Sequence, residues 1–415
     1  MSTFEEIRAA IVREDGVKLS RLISVLNGNP EHWASIAYST NAAMADTNIR
    51  RRFSQPLWGD IAYTYWQYAV GLMKNHSLVE AYILQNEMLQ TLNRIAERSD
   101  NWILPVLSTV AAELRKVAFL AGETKLEGEL KEKHDKKIEE ITRTINRSFN
   151  ICLNDRNQTL ASSKRWGTYF FAGELFKTYF KLNKQPLAKS VLKVISAMVK
   201  ELPALNKFPK SHQVTYLYYW GVILFIDGDY TEASKKLTQA LDLCKTSSHK
   251  NMERILLYLI PVNLIENRKK PSHQLLQAFP RLQVLYGDLL KGLTTADLKS
   301  YDKALVARRH IFVKKFIYLA MEVLRGWVVL NLIYVTYCLS GKPSRLSIDS
   351  LFTSFNLGGF FDDGYDENDN NEAQLNEIEA IVGTWIARGH IKGYISHERR
   401  TVVLSNKDPF PGRAG

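Results

Sequence analysis

The sequence predicts an all-α protein that closes on a small module containing β-strands. Three observations carry that prediction. Apolar residues recur at spacings of three and four over most of the 415 residues, the periodicity of a helix face. The helical stretches come in pairs joined by short turns, the pattern of a repeat stack. Near the end the period changes from 3.6 to 2, so a hairpin is expected only there.

The length exceeds one compact core and implies two domains or one elongated stack. The composition, 46% hydrophobic and 24% charged, is that of an ordinary soluble protein. Cys152, Cys244 and Cys338 lie far apart, with no Cys-x-x-Cys pair. That spacing argues against a disulfide framework or zinc site and fits a reducing compartment. The start, Met-Ser-Thr-Phe-Glu-Glu, lacks the basic-then-apolar order of a signal peptide. Residues 316–339 are the most apolar, but Glu322, Arg325 and Asn331 interrupt them, so a buried helix is expected rather than a membrane span.

Taken in order, residues 1–26 read as one helix with a broken stripe of Ile7, Ala10, Ile11, Leu19, Leu22 and Ile23, ended by Asn27-Gly-Asn-Pro30. Residues 31–98 continue helical, with Trp58, Tyr63, Tyr65, Trp66 and Tyr68 as candidate core. Arg50-Arg51-Arg52 reads as a solvated cluster rather than a phosphate contact. Residues 102–121 form a helix interrupted at Pro105. Residues 122–137, dense in both signs of charge, read as a solvated helix or a linker and mark a soft boundary near 130.

Paired helices follow. The clearest pair joins Tyr218, Gly221 and Leu224 to Tyr230, Ala233, Leu237 and Ala240 through the turn Asp227-Gly-Asp229, a tetratricopeptide-like unit. Residues 166–182 with 185–202, and 252–264 with 272–279, are looser pairs; Pro186 suits a helix start. Residues 301–339 read as one long helical region that carries Arg308, Arg309, Lys314 and Lys315 and ends at Gly341-Lys-Pro343. Ser347 is the expected N-cap of a shorter helix with Ile348, Leu351, Phe352 and Phe355. An acidic Gly/Asn-rich loop then spans residues 358–371.

In the next helix Ile378, Ile381, Val382, Trp385 and Ile386 share a face. Arg388 then Gly389 suit a helix C-terminus. Ile391, Gly393 and Ile395 alternate with Lys392, Tyr394 and Ser396, and residues 401–405 form a second β-branched run. Helix, glycine stop, strand, basic turn and strand is the order of the last half of a winged helix.

The net charge is +12 from 55 Lys and Arg against 43 Asp and Glu. Removing the six acids of residues 360–372 raises +12 to +18 for the remainder. Such an excess favours a polyanionic partner, nucleic acid or an acidic protein. The candidate phosphate contacts are Lys392, Arg399, Arg400 and Arg388 at the wing, then Arg308, Arg309, Lys314 and Lys315 upstream; such residues give sequence-tolerant, salt-sensitive binding. The competing reading is that the wing face packs against another protein. No aromatic-interleaved platform for base stacking is apparent.

No catalytic set appears: no phosphate-binding Gly-rich loop, no His-Glu-x-x-His and no Gly-x-Ser-x-Gly elbow. The Ser-His pairs, such as Ser211-His212 and Ser396-His397, are adjacent in sequence and point apart. No catalytic residue, metal or cofactor is expected.

Arg388-Gly-His-Ile-Lys-Gly-Tyr-Ile-Ser-His397 and Asp408-Pro-Phe-Pro411 resemble the C-terminal signature of the PCI-domain family, in particular its messenger-RNA export branch and signalosome-associated fungal relatives. Residues 149–156, Lys164-Arg-Trp-Gly167, 175–184 and 251–262 are similar to that branch in order and spacing. The resemblance spans roughly residues 145–411. It implies an N-terminal helical region (1–130), a helical-repeat part (131–324) and a winged-helix part (325–405) of a PCI domain, and a tail (406–415). It further implies a non-enzymatic subunit of a nuclear complex coupling transcription to messenger-RNA export, also present in the cytoplasm. The partners implied are a larger PCI scaffold and a small, acidic, disordered protein shared with the proteasome lid, with RNA or DNA bound without sequence preference. The alternative is a signalosome-linked or degradation-linked scaffold with no direct RNA contact.

Overall fold

A computed structural model describes residues 3–26, 30–39, 41–73, 78–122, 129–361 and 371–412. The chain divides into two compact units, one holding residues 1–223 with 242–244, the other residues 224–241 with 245–415.

Every regular element of unit 1 among the described residues is a helix. The unit contains α1 (Thr3–Val12), α2 (Gly16–Leu22), α3 (Pro30–Ala37), α4 (Ala45–Arg50), α5 (Pro56–Met73), α6 (Leu78–Ala96), α7 (Leu104–Ala121), α8 (Glu129–Leu153), α9 (Thr168–Lys181), α10 (Gln185–Ala197) and most of α11 (Lys210–Ile226). The first 26 residues form two helices, not the single helix expected. Glu14 adopts φ +52° and Asp15 caps α2 by accepting from the Lys18 N–H at 2.9 Å. Gly16 allows this turn to press on the chain ahead of α7, since a Cβ there would lie 1.8 Å from the Trp102 carbonyl oxygen. Pro105 does not interrupt a helix; it stands in the first turn of α7, where its missing N–H costs nothing. Position 130, the expected soft boundary, lies in the first turn of α8 within unit 1.

The aromatic residues anticipated as core are largely that. Trp58, Tyr65, Trp66 and Tyr68 are buried, and Tyr63 half-buried. Trp33 meets Tyr65 edge-on at 5.9 Å, and the Tyr65 hydroxyl donates to the Leu22 carbonyl at 2.6 Å. Two buried carboxylates, Glu113 and Glu174, are well partnered. Glu113 accepts from the Ser24 hydroxyl at 2.5 Å and the Val25 N–H at 2.9 Å, holding the turn that follows α2. Glu174 sits between Arg115 at 2.5 Å and Lys177 at 2.6 Å. Burial alone would raise its carboxyl, but Lys177 and Arg115 hold it below the usual range.

Unit 2 begins within the predicted repeat pair, at Leu224 near the end of α11, just ahead of the turn where Gly228 takes φ +82°. α12 (Tyr230–Leu243) buries Ala233, Leu237 and Ala240, and α13 (His249–Asn267), α14 (His273–Ala278) and α15 (Pro280–Thr295) follow. The long helical region expected at 301–339 consists of two helices, α16 (Leu298–Lys314) and α17 (Tyr318–Leu339). Phe316 makes the break with φ +59°, and the Ile317 N–H returns to the Phe312 carbonyl at 2.8 Å. α17 is long and apolar enough to cross a membrane, yet half of its most apolar stretch is buried inside the protein. Arg325 on its flank forms a two-pronged ion pair with Asp302, both contacts 2.8 Å.

The final module consists of β1 (Arg345–Ser347), α18 (Ile348–Leu357), α19 (Asn371–Ala387), β2 (Gly393–Ser396) and β3 (Thr401–Leu404). Ser347 caps α18 as expected, accepting from the Asp349 N–H at 3.1 Å. α19 starts six residues before Glu377, where its apolar face first shows. The hairpin of β2 and β3 joins β1, a strand too short to be read from the sequence, in an antiparallel sheet of order β1-β3-β2. Gly393 pairs with Leu404 and Ser396 with Thr401, while Arg345 faces Val403. Most of the acidic loop, residues 362–370, lies outside the described residues.

Candidate nucleic-acid interface

The wing is built from the residues that alternate in the hairpin. Val402 and Leu404 point inward and are buried with Ile348, Leu351, Phe355, Ile378, Val382 and Trp385. Their neighbours face solvent because the strand period is two. Gly393 admits β3: a Cβ there would lie 2.2 Å from the Val403 carbonyl oxygen. Residues 397–400 form the turn, with Arg400 at φ +43°, and the Ile348 N–H donates to the Arg400 carbonyl at 2.9 Å. That bond ties the wing turn to the start of α18.

The four candidate cations of this module differ in their commitments. Lys392 extends to Asp408 at 3.0 Å. Arg400 reaches Glu372 at the start of α19, 3.2 Å away. Arg399 is exposed and, among the described residues, makes no ion pair. Arg388 is exposed just past the end of α19, its guanidinium 5.5 Å from the centre of the Trp385 ring. α19 itself carries Glu372, Glu377 and Glu379 and no cation, so it is poorly suited to lie in a nucleic-acid groove. Positive charge is left at its C-terminal end and in the wing.

The other four cations sit on or just past α16, and their contacts run to α13, α15 and α17. Arg308 is largely enclosed: it donates to the Val284 carbonyl at 2.9 Å and pairs with Asp288 at 2.5 Å. Arg309 lies 5.6 Å from the centre of the Tyr318 ring. Lys314 and Lys315 are exposed, and the Lys315 carbonyl accepts from the Tyr258 hydroxyl at 3.1 Å.

One cluster could not be read from the sequence. Trp327 of α17, Trp385 of α19, His390 and Arg268 converge around a cleft of about 690 Å³. The two indoles are 5.4 Å apart, and His390 meets Trp327 edge-on at 4.7 Å. Arg268 stacks 4.7 Å from the centre of Trp327 and bonds to His390 Nδ1 at 2.9 Å. The cluster fixes the end of α19, and with it the position of Arg388. The residues were legible singly; their meeting needs contacts across 122 positions of chain. His397, the other histidine flanking the strand, pairs with Glu379 at 2.7 Å. Among the described residues no three His, Cys, Asp or Glu side chains converge as a metal-binding group.

Packed helices ending in a winged helix with a three-stranded sheet define a class of assembly modules, and the PCI domain family model matches residues 297–406. The chain is 36% identical over 412 residues to the protein CSN12 homolog of Yarrowia lipolytica, covering 99% of this chain and 98% of that one. It is 33% identical over 427 residues to the CSN12 homolog of Schizosaccharomyces pombe, with 98% and 96% covered. To PCI domain-containing protein 2 of Xenopus laevis it is 27% identical over 410 residues, again with 98% and 96% covered. The chain belongs to the PCI-domain family that the CSN12 homologs represent.

Proposed function

We propose that this protein is a non-enzymatic PCI subunit of a nuclear complex that couples transcription to messenger-RNA processing and export. It pairs with a larger PCI scaffold and a small acidic protein, and its winged helix adds a sequence-tolerant contact to RNA or DNA. The observation that carries the nucleic-acid part is the state of Arg399 and Arg388. Both are exposed, one at the wing turn and one at the end of α19, and neither forms an ion pair among the described residues. Free cations on a fixed frame can neutralise phosphates without reading bases. Lys392 and Arg400 flank them as a second tier, already engaged by carboxylates.

The test is a salt titration of oligonucleotide binding by the co-expressed complex. Log affinity falls linearly with log salt, and Arg388→Glu with Arg399→Glu flattens the slope by roughly one to two phosphates' worth without releasing the partners. Loss of complex formation in that variant would assign the face to assembly. That outcome is the second reading, a signalosome-linked or degradation-linked scaffold with no RNA contact. It is favoured by the ion pairs of Lys392 and Arg400 and by the acids along α19.

A further inference from the structure

Arg51 and Arg52, part of the cluster that reads from the sequence as solvated, stand three and two residues before Ser54. Cations at both of those positions ahead of a hydroxyl form the charge pattern that basophilic protein kinases recognise. Three hydroxyls of this chain carry it: Ser54, Thr238 and Ser272. Their surroundings separate them. Thr238 lies within α12, whose helical backbone cannot extend through a kinase groove. The Ser272 hydroxyl is committed to capping α14, accepting from the Leu275 N–H at 3.1 Å. Ser54 is in neither position. It sits in residues 51–55, between α4 and α5 and outside any helix. Its side chain is exposed, and among the described residues no hydrogen bond holds its hydroxyl.

The two cations are available as well. Arg50 is engaged: it pairs with Asp46 and Asp60, and its guanidinium lies 5.0 Å from the centre of the Tyr63 ring. Arg51 and Arg52 are exposed, and neither forms an ion pair among the described residues. What a kinase must undo is local. α4 is six residues long. The Arg52 N–H donates to the Ile49 carbonyl and the Phe53 N–H to the Arg50 carbonyl, each at 3.1 Å. Phe53 is buried and has to leave its place for residues 51–55 to extend. A single short turn of this kind opens without global unfolding.

We propose that Ser54 accepts a phosphate from ATP through a basophilic protein kinase, and that Arg51 and Arg52 then hold that phosphate. The Ser54 hydroxyl oxygen attacks the γ-phosphorus of ATP. The bond from that phosphorus to the β,γ-bridging oxygen breaks, ADP leaves with the bonding pair, and the hydroxyl proton passes to the kinase's catalytic base. The product brings a charge of about −1.5 to −2 at neutral pH next to two unpaired guanidiniums. It also stands ahead of the first turn of α5, where negative charge is favoured. A pair of free cations becomes a neutral cluster, and this face loses its attraction for polyanions. The inference is independent of the wing and of its partners.

The test treats the full-length chain with ATP and the catalytic subunit of cyclic-AMP-dependent protein kinase, and locates phosphate by peptide mass spectrometry. Phosphate on Ser54 is expected. Ser54→Ala should abolish it and Ser54→Thr retain it. Arg51→Ala with Arg52→Ala should slow it about tenfold or more. All of these side chains are exposed, so the variants should melt as the parent does. In the phosphorylated chain, phosphorus NMR should place the second ionisation below the value near pH 6 of a free phosphoserine, and denaturation in urea should restore it. Ser54 left unmodified in the native protein would overturn the proposal, and labelling of a free peptide of residues 48–58 in the same reaction would trace that failure to the fold. Phosphate found on Thr238 or Ser272 with Ser54 bare would overturn it equally. An ionisation that is the same in the folded and unfolded chain would remove Arg51 and Arg52 as holders of the phosphate.

Discussion

The ammonium of Lys392 stands 3.0 Å from Asp408 Oδ2, while the Lys392 backbone N–H donates to the Pro409 carbonyl at 2.8 Å. Side chain and main chain thus bind the same short segment, and the approach to the wing is clamped to the residues that follow it. The lysine's charge is largely compensated where it lies. Asp408→Asn should release it. Oligonucleotide affinity should rise by a few-fold with a steeper salt slope. Stability should change by no more than about 1 kcal/mol, because an exposed pair is worth little. Unchanged affinity in a salt titration would remove Lys392 from the contact set.

Beyond Asp408 the chain folds inward. Phe410 is buried, with ring centres 5.3 Å from Tyr334 and 5.1 Å from Tyr337 on α17. Phe410→Ala should cost about 3–5 kcal/mol, the range for an emptied aromatic site. Thermal melting would show it, and a melting point within a degree or so of the parent would contradict the packing described.

Gly393→Ala places a methyl group against the Val403 carbonyl. Strands β2 and β3 cannot separate without breaking their pairing, so hydrogen exchange of residues 393–404 should accelerate while that of α5–α7 stays unchanged. Protection equal to the parent would mean the hairpin adjusts freely.

Glu174 links unit 1 to pH. Its folded carboxyl lies below the unfolded value despite burial, because Lys177 and Arg115 favour the charged form. Its stabilisation is therefore fully present above the unfolded value, near pH 4.3, and disappears as pH falls through the folded one. Asp155 acts with the same sign: burial opposes the charge, and the Ser163 hydroxyl and the Lys164 N–H and ammonium overcome that. Denaturant midpoints should drop below about pH 4. Glu174→Gln should flatten that drop and lower stability at neutral pH; an unaltered pH profile would count against the pair.

Glu113→Ala would leave the Ser24 hydroxyl and the Val25 N–H buried without a partner. The expected loss is about 1–3 kcal/mol for each orphaned group, read by chemical denaturation. Glu113→Gln should recover part of it by still accepting from Ser24.

Local chemistry made much of this protein legible in its sequence. Apolar spacing on α19, Ser347 at the head of α18, Gly228 in the repeat turn and the period change after Gly389 each report on a few neighbouring residues, and those parts are where expected. Reading failed where neighbours in space are remote in sequence. Nothing local shows that Phe316 breaks the helical run at 301–339, or that β1 exists, since three residues become a strand only by pairing with β3. The candidate cations were identifiable by charge alone, but charge does not reveal partners. Tertiary packing turned Arg308 inward to Asp288, tied Lys392 to Asp408 and Arg400 to Glu372, and left Arg399 and Arg388 exposed. It also assembled Trp327, Trp385, His390 and Arg268 into one cleft. Composition and periodicity determine that helices form and which faces they bury; which charges stay free depends on contacts that only the folded chain creates.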